Sequence, residues 1–262
     1  PQPIAWFRRV AMEVVYRRCC GLDVHKRSVV ACVITPDGKE IRTFGAMTKD
    51  LLELGDWLVD QAVSHVAMES SGVFWRPVCN LLEGLGLTLL VVNAQHIKAV
   101  PGRKTDVKDA EWIADLLRHG LVRASYIPDR PQRELRELVR YRRSLVRQRS
   151  QVVNRVQKVL EGANIKLSSV AFNVVGVSGR AMLEAMLAGE DDPQALAKLA
   201  HGKLREKRGP LEEALRGHVR DHQRLLLQSL LRNLDFLDGE IESMNEEASC
   251  RMRPFEGALR QM

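Results

Sequence analysis

Residues 18 to 125 alternate short apolar runs with amphipathic helical patterns, and this alternation constrains the possible folds of the chain. The runs CCGLDVH, RSVVACVIT and IRTFGAM predict three strands, with Asp37-Gly38 as a hairpin turn between the last two. Helix and strand patterns then alternate, and Thr48 is the predicted N-cap of the first helix. The order β-β-β-α-β-α-β-α predicts one mixed sheet with helices on its faces, an α/β architecture.

From Pro128 onward the pattern changes to long helices. After Pro131, residues 132–160 contain neither Gly nor Pro, and two apolar sets repeat every seven residues: Leu138, Leu145, Val152 and Val159, and Val139, Val146, Val153 and Leu160. A second long helix is predicted from about Pro210 to Ser249. We expect the two helices to pack as an antiparallel pair or to dimerise.

The positive charge of the chain is concentrated on the first of these long helices. The 262 residues carry a formal net charge of +7, and residues 130–160 alone hold ten Lys/Arg against two acidic residues. A helix with so large an excess of positive charge indicates phosphate binding, and a solvated helix face is the alternative. The candidate nucleic-acid contacts on this helix are Arg136, Arg140, Arg143 and Arg147.

Cysteine usage and hydropathy narrow the class of protein. The five cysteines show no metal-ligand spacing, and their odd number disfavours a disulfide framework, which predicts a reducing cytoplasm. The sequence contains no run of 18 apolar residues, so no membrane span is predicted. The first 17 residues lack the pattern of a signal peptide, and we expect residues 1–17 to form a disordered extension.

Four acidic residues in three separated motifs form the candidate chemical site. Asp23 ends the first predicted strand and Glu69 the fourth, so both reach one sheet edge if these strands are neighbours. Asp106 and Asp109, at i and i+3, share one face of a helix predicted to start near Thr105. Carboxylate oxygens suit Mg²⁺ or Mn²⁺, and two such ions can promote phosphodiester cleavage. Alternatively, each acid is a surface or helix-capping residue.

Cationic residues accompany these acids. His25 and Lys26 follow Asp23 and are candidate phosphate contacts, with a solvated strand end as the alternative interpretation. The residues around the aspartate pair that would suit phosphate contacts are Arg103, Lys104 and Lys108, for which a solvated loop is the alternative. Trp75 and Trp112 lie in helical patterns and are interpreted as core residues rather than base-stacking platforms.

Three motifs together resemble the DEDD transposases of bacterial insertion sequences, the family that includes the pilin-gene invertase and the bridge-RNA-guided recombinases. These motifs are GLDVHKRSVVACVITPDG, AMESSGVFWRPV and VVNAQHIKAVPGRKTDVKDAEWIADLLRHGLVRASYIP, and the resemblance extends from residue 18 to about residue 250. It implies a RuvC-resolvase-like, RNase H-like catalytic domain over residues 18–127 and an all-α coiled-coil region over residues 128–250. It also implies that Asp23, Glu69, Asp106 and Asp109 are the catalytic, metal-binding residues.

The resemblance further implies partners and a reaction in the bacterial cytoplasm. Members of the family recombine DNA, bind a structured guide RNA and assemble as dimers or tetramers through the long helices. They also carry a C-terminal domain with a serine nucleophile, of which residues 251–262 would be only the start; Ser168, Ser169 and Ser178 do not match its position. Three interpretations therefore stand: a truncated RNA-guided recombinase, a nucleic-acid-binding and oligomerisation remnant without catalysis, and a Holliday-junction-resolvase-like nuclease.

Overall fold

The computed structural model describes residues 13–70, 72–93 and 109–255. The chain divides into two compact units, Pro1–Pro128 and Asp129–Met262. The first is built on a β-sheet and the second is all-helical. Of the predicted N-terminal extension, residues 1–12 lie outside the described residues, whereas the backbone amides of Val15 and Tyr16 both donate to the carbonyl oxygen of Arg118.

A five-stranded mixed sheet forms the frame of the first unit, in the order β3-β2-β1-β4-β5. β1 is antiparallel to β2, and β2 to β3, whereas β4 is parallel to both β1 and β5. A mixed sheet in a chain that alternates strands and helices is an α/β arrangement, so the expected α/β fold class is confirmed. The strand bounds are β1 Cys19–Val24, β2 Ser28–Thr35, β3 Gly38–Gly45, β4 His65–Glu69 and β5 Thr88–Val92.

Helices cover both faces of this sheet. Two of them, α1 (Thr48–Asp60) and α2 (Trp75–Leu82), pack on the face that carries Leu22 and Met68. The third, α3 (Asp109–Arg118), packs on the opposite face. A 3-10 turn, Glu83–Leu85, follows α2. Successive strand residues alternate between the two faces, so each strand contributes to both core layers.

Two predictions about side chains in these helices have different outcomes. Trp75 and Trp112 are partly buried against the two cores, which confirms that they are core residues. The prediction that Thr48 caps α1 is wrong, because Met47 occupies the N-cap position. The Met47 amide donates to the carboxylate of Asp50 at 3.3 Å, so the acid in the first turn, rather than a cap hydroxyl, satisfies a backbone amide at this end.

The second unit contains two long helices, α4 and α9, and a set of short helices between them. The predicted continuous helix from Pro210 to Ser249 is wrong, since α8 stops at Ala214 and α9 starts only at Asp221. The bounds are α4 Arg130–Gly162, α5 Leu167–Val170, α6 Val177–Leu187, α7 Pro193–Lys198, α8 Arg208–Ala214 and α9 Asp221–Met252, with 3-10 turns Gly202–Lys207 and Arg253–Phe255.

The helices α4 and α9 pack as an antiparallel pair within the chain. Polar contacts fix this register: Arg142 donates to Asn245, and Arg149 forms a two-nitrogen ion pair with Asp238. The buried apolar residues along the contact are Leu145, Val152, Val156 and Leu160 of α4, and Leu227, Leu231, Leu234 and Leu237 of α9. Val139 and Val146 are exposed, so the prediction of a second heptad set on this seam is wrong there. On the side of α4 that faces α9, positions 142 and 149 are arginines rather than apolar residues, and their guanidinium groups pair with Asn245 and Asp238.

Four of the five cysteines are buried and free, and only Cys250 is exposed. Burial raises the pKa of the Cys19 thiol to about 11 and that of the Cys32 thiol to about 12. These thiols are therefore neutral at physiological pH and pack as small core residues. Among the described helices, none is both long enough and apolar enough to cross a membrane.

Candidate functional site

The sheet brings Asp23 and Glu69 to one end of two adjacent strands. β1 and β4 are parallel, and the last residues paired in their register are Leu22 and Met68. Asp23 and Glu69 are the next residue of each strand, so they stand side by side at the carboxyl ends. The sequence predicts that these two acids reach one sheet edge if their strands are neighbours. The pairing of β1 with β4 meets that condition.

Both carboxylates also belong to the same face of the sheet. Asp23 is opposite Val30 of β2, and Glu69 is opposite Val92 of β5. Val30 and Val92 both belong to the apolar cluster beneath α3. Because directly opposite residues in a sheet project to the same face, Asp23 and Glu69 lie on the α3 side.

Helix α3 carries the third described acid, Asp109, as its first residue. The helix packs closely on β1 because β1 has a glycine under it. A Cβ at Gly21 would lie 2.9 Å from the Cα of Ala114 and closer still to the carbonyl oxygen of Ala110. The small residues on both elements therefore permit the approach that brings Asp109 toward Asp23. Asp106 lies outside the described residues.

The electrostatics of Asp23 reflect this arrangement. Its side chain is 21% exposed, and burial raises the pKa of its carboxyl group above the ordinary value. The negative charges of Asp109 and Glu69 raise this pKa further. The imidazole of His25, with Nε2 3.0 Å from Oδ2 of Asp23, lowers the same pKa. Asp23 is therefore close enough to both Asp109 and Glu69 for their charges to act on its carboxyl group.

The donor set fits a hard divalent cation in chemistry and charge. Three carboxylates supply oxygen ligands, and the raised pKa of Asp23 indicates negative charge that a cation would offset. Within the described part of the chain, no group of three or more acidic, histidine or cysteine side chains is close enough to hold a metal ion. The fit therefore rests on ligand type and on the electrostatic coupling of Asp23, Glu69 and Asp109.

The predicted cationic contacts fall into two groups. Lys26 is exposed just after β1, close in sequence to Asp23, whereas Arg103, Lys104 and Lys108 lie outside the described residues. On α4, the four predicted phosphate contacts are all exposed and are spaced four, three and four residues apart: Arg136, Arg140, Arg143 and Arg147. We name these four residues the arginine stripe. At 3.6 residues per turn they occupy one face of α4, roughly opposite the seam with α9.

Gly21 is not among the site residues that the sequence predicts, and His25 has a different contact from the predicted one. A glycine inside an otherwise apolar strand is the signal that indicates a close backbone approach, and it is present in the run CCGLDVH. The sequence suggests His25 only as a phosphate contact, but the structure pairs its ring with Asp23. A histidine two residues beyond a strand-end aspartate gives no such signal, because their contact depends on how the chain turns after Val24.

Known proteins resemble this chain to different degrees. A curated relative, described as an uncharacterized 44.8 kDa protein of insertion element IS116 from Streptomyces clavuligerus, is 28% identical over 202 residues. The match covers 70% of this chain and 47% of the relative, so the chain spans about half of that protein's length. Among solved structures, T. thermophilus RuvC in complex with Holliday junction substrate is matched over its whole chain and 42% of this one, at 10% identity and a TM-score of 0.29. That likeness is too distant to support an argument.

The family assignment rests on a longer match in sequence. The family model of the IS110-type DEDD transposases, described as a transposase, matches residues 20–165, which is more than half of the chain. The matched segment contains β1 to β5, α1 to α3 and the whole of α4. It therefore includes Asp23, Glu69 and Asp109 as well as the arginine stripe. The chain belongs to the IS110-type DEDD transposase family.

Proposed function

We propose that the first unit is the metal-dependent, DNA-cutting part of a transposase that acts in the bacterial cytoplasm. In this proposal Asp23, Glu69, Asp106 and Asp109 are the catalytic residues and hold Mg²⁺ or Mn²⁺. The observation that carries it is the placement of Asp23 and Glu69 side by side at the ends of β1 and β4, on the sheet face that α3 covers. The charges of Asp109 and Glu69 also raise the pKa of Asp23, after burial as the largest cause. A partly buried acid beside other acids is costly to stability, and such clusters are typical of functional sites.

The role of each group follows from its position. When bound, a pair of divalent ions supplies activation of the attacking oxygen and stabilisation of the leaving oxygen. Asp23 and Glu69 present their carboxylates from the ends of rigid strands, which limits their movement. His25 engages one oxygen of Asp23 and so orients that carboxylate. We assign DNA phosphate contacts to Lys26, Arg103, Lys104 and Lys108.

Strand cutting is part of a longer reaction. The chain spans about half of its curated relative, so joining of DNA strands and complete transposition are proposed for the whole protein rather than for these residues alone. The proposal assigns the acids of the first unit to one half of a recombination site. A serine nucleophile, as the family resemblance implies, would belong to the other half.

We assign the arginine stripe to a structured guide RNA. Four exposed guanidiniums along one helix face offer a row of phosphate ligands, and the seam with α9 leaves that face uncovered in the second unit. Arginine pairs with phosphate through two parallel hydrogen bonds, which favours this role over a merely solvated face. Replacing all four arginines by glutamine is expected to weaken RNA binding and flatten its salt dependence.

Self-association as a dimer or tetramer is the remaining part of the proposal. Because α4 and α9 use their apolar seam on each other, assembly requires another surface. Val139 and Val146 are exposed beside the arginine stripe and repeat at seven residues, as residues of a helical interface do. Val139→Asp with Val146→Asp is expected to lower the sedimentation coefficient of an oligomer without changing the thermal midpoint of the chain.

Cleavage of supercoiled DNA and of four-way-junction DNA with Mg²⁺ or Mn²⁺ tests the main proposal. The variants are Asp23→Asn and Asp106→Asn, and Asp56→Asn is the matched control because Asp56 is an exposed acid on α1. We expect metal-dependent nicking that both site variants lose and the control retains. Metal affinity, measured by calorimetry, should fall in the same two variants.

Other outcomes would select among the alternatives. Symmetric cutting of the four-way junction without strand joining favours a junction-resolvase-like nuclease. Salt-sensitive RNA binding without any cutting by the wild-type chain favours a binding and oligomerisation module. Nicking that persists in Asp23→Asn and Asp106→Asn contradicts the proposed roles of both carboxylates.

A further inference from the structure

The second unit contains an open pocket of about 800 Å³ lined by cationic side chains outside the arginine stripe. It lies where α4 ends and α9 begins, and it is bordered by Gly162 and Asn164 on one side. The opposite border is the connection between α8 and α9, which contributes Arg216, His218, Arg220 and His222. These four are alternate residues of the sequence RGHVRDH.

The backbone of this connection directs His218 and Arg220 to the side opposite Val219. Arg220 has an extended conformation, with φ −78° and ψ 161°. Val219 is buried, whereas His218 and Arg220 on either side of it are exposed. Alternation of buried and exposed residues is the expected result of extended backbone against a core. The exposure of His218 and Arg220 at the pocket is therefore set by the local chain direction and by the anchoring of Val219.

The connection is also held firmly against the end of α4. The amide of His218 donates to the carbonyl oxygen of Ala163 at 3.1 Å. A Cβ at Gly217 would lie 2.6 Å from Cγ1 of Ile165, so only glycine fits without displacing the connection. Gln223, at the start of α9, accepts from the Arg220 amide at 3.0 Å and fixes the other end. The pocket wall is thus defined by tertiary contacts.

The charge of the pocket favours an anion. Arg216 and Arg220 are exposed and form no ion pair with any residue in the described part of the chain. Asp191, the acidic residue of the lining, is already paired with Arg224 at 2.7 Å and lies 3.9 Å from Nδ1 of His218. The first turn of α9 adds the positive end of a 32-residue helix and also carries the acidic Asp221, which is not part of the pocket lining. Two guanidiniums consequently face the pocket without a compensating carboxylate of their own.

We propose that this pocket binds phosphodiester groups of a nucleic-acid backbone, with Arg216 and Arg220 as the phosphate ligands and His218 and His222 as additional donors. The planar guanidinium matches phosphate oxygens in pairs. A pocket of about 800 Å³ exceeds what one phosphate fills and admits a stretch of backbone. All lining residues of the pocket belong to the second unit and none is a proposed metal ligand, so the proposal stands whether or not the first unit cuts DNA.

Salt-dependent binding of labelled hairpin RNA and duplex DNA to the full chain tests the proposal. The variant is Arg216→Gln with Arg220→Gln. The matched control is Arg208→Gln with Arg232→Gln, which removes the same charge from two exposed arginines away from the pocket. Each lost phosphate contact lowers the slope of log K against log salt by roughly 0.9, so the pocket variant should lose about two and bind about tenfold more weakly near ~0.1 M salt. The control should lose much less.

A second pair of variants separates pocket geometry from charge. Gly217→Ala displaces the wall without changing any charge, whereas Gly209→Ala, at a glycine with no neighbour in reach of a Cβ, is the control. Weakened binding by Gly217→Ala alone supports a built site; if that variant does not fold, the arginine pair decides. Equal binding by the two arginine double variants overturns the proposal. So does saturable binding of inorganic phosphate at Arg216 and Arg220 with nucleic-acid binding unchanged, which would assign the pocket to a free anion.

Discussion

Gly21 of β1 lies directly beneath Ala110 of α3, so close that a Cβ on the glycine would overlap the alanine carbonyl oxygen. Gly21→Ala must therefore move α3 away from the sheet or strain the strand. We expect a loss of about 1–3 kcal/mol of stability, which is typical of overpacking. We also expect weaker Mn²⁺ binding, because Asp109 moves with α3 while Asp23 stays on β1. Urea unfolding and titration calorimetry measure the two effects.

Gly84→Ala is the control for this substitution. A Cβ at Gly84 would meet no heavy atom within 4 Å, and the residue lies in the 3-10 turn after α2, away from α3. Its replacement should leave both stability and Mn²⁺ affinity close to those of the wild type. If Gly21→Ala behaves like Gly84→Ala in both measurements, the close approach does not position the site.

Asp23 should make the stability of the metal-free chain depend on pH. Its pKa is raised, by burial first and also by Asp109 and Glu69, so the folded state favours the protonated form. The stabilisation from this proton is complete below the ordinary pKa of 3.8 and is lost as pH rises through the raised value. Asp23→Asn should therefore raise the thermal midpoint at pH 7 relative to the wild type, with a smaller gain near ~pH 4.

Divalent cations should reverse that order. Added Mn²⁺ is expected to raise the thermal midpoint of the wild type, because a ligand that binds only the folded state stabilises it. It should raise the midpoint of Asp23→Asn much less. A pH 7 midpoint for Asp23→Asn below that of the wild type without metal would show that Asp23 is stabilising in the free chain, contrary to its raised pKa.

Neighbouring leucines on α9 offer a direct test of the seam with α4. Leu227 is fully buried, whereas Leu226 is 49% exposed. Leu227→Ala should cost about 2–5 kcal/mol, as truncations in a packed core do. Leu226→Ala should cost less than about 0.5 kcal/mol, within the range of surface substitutions. Equal losses in chemical denaturation would contradict the register of the antiparallel pair.

The five thiols should differ sharply in reactivity. Cys250 is exposed, while burial holds the pKa of Cys19 at about 11 and that of Cys32 at about 12. At about pH 8 we expect one fast-reacting thiol in the folded chain and five in denaturant, since the thiolate is the reactive form. The reaction with a chromogenic disulfide measures both. Cys250→Ser should remove the fast phase and leave the remainder unchanged.

Much of the first unit could be predicted from local pattern. Short apolar runs identified the strands and placed Asp23 and Glu69 at strand ends, because charges are excluded from the core. The helix boundary errors have a common cause. Thr48 has a side chain suited to an N-cap, and the segment from Pro210 to Ser249 has a helical pattern. The observed ends depend on other residues, because Met47 occupies the N-cap of α1 and Gly217 packs against Ala163 and Ile165.

The sequence by itself determined which residues are apolar, acidic or basic, and the local periods on which they recur. These fixed the long helix of residues 130–162 and the exposure of the arginine stripe. Only the tertiary structure decided that β1 pairs with β4, that α3 rests on Gly21, and that Arg149 faces Asp238 across the helix pair. It also placed Arg216 and Arg220 around one pocket. Local periods are properties of a short window, whereas these relationships depend on contacts between segments tens of residues apart, whose energies no single window contains.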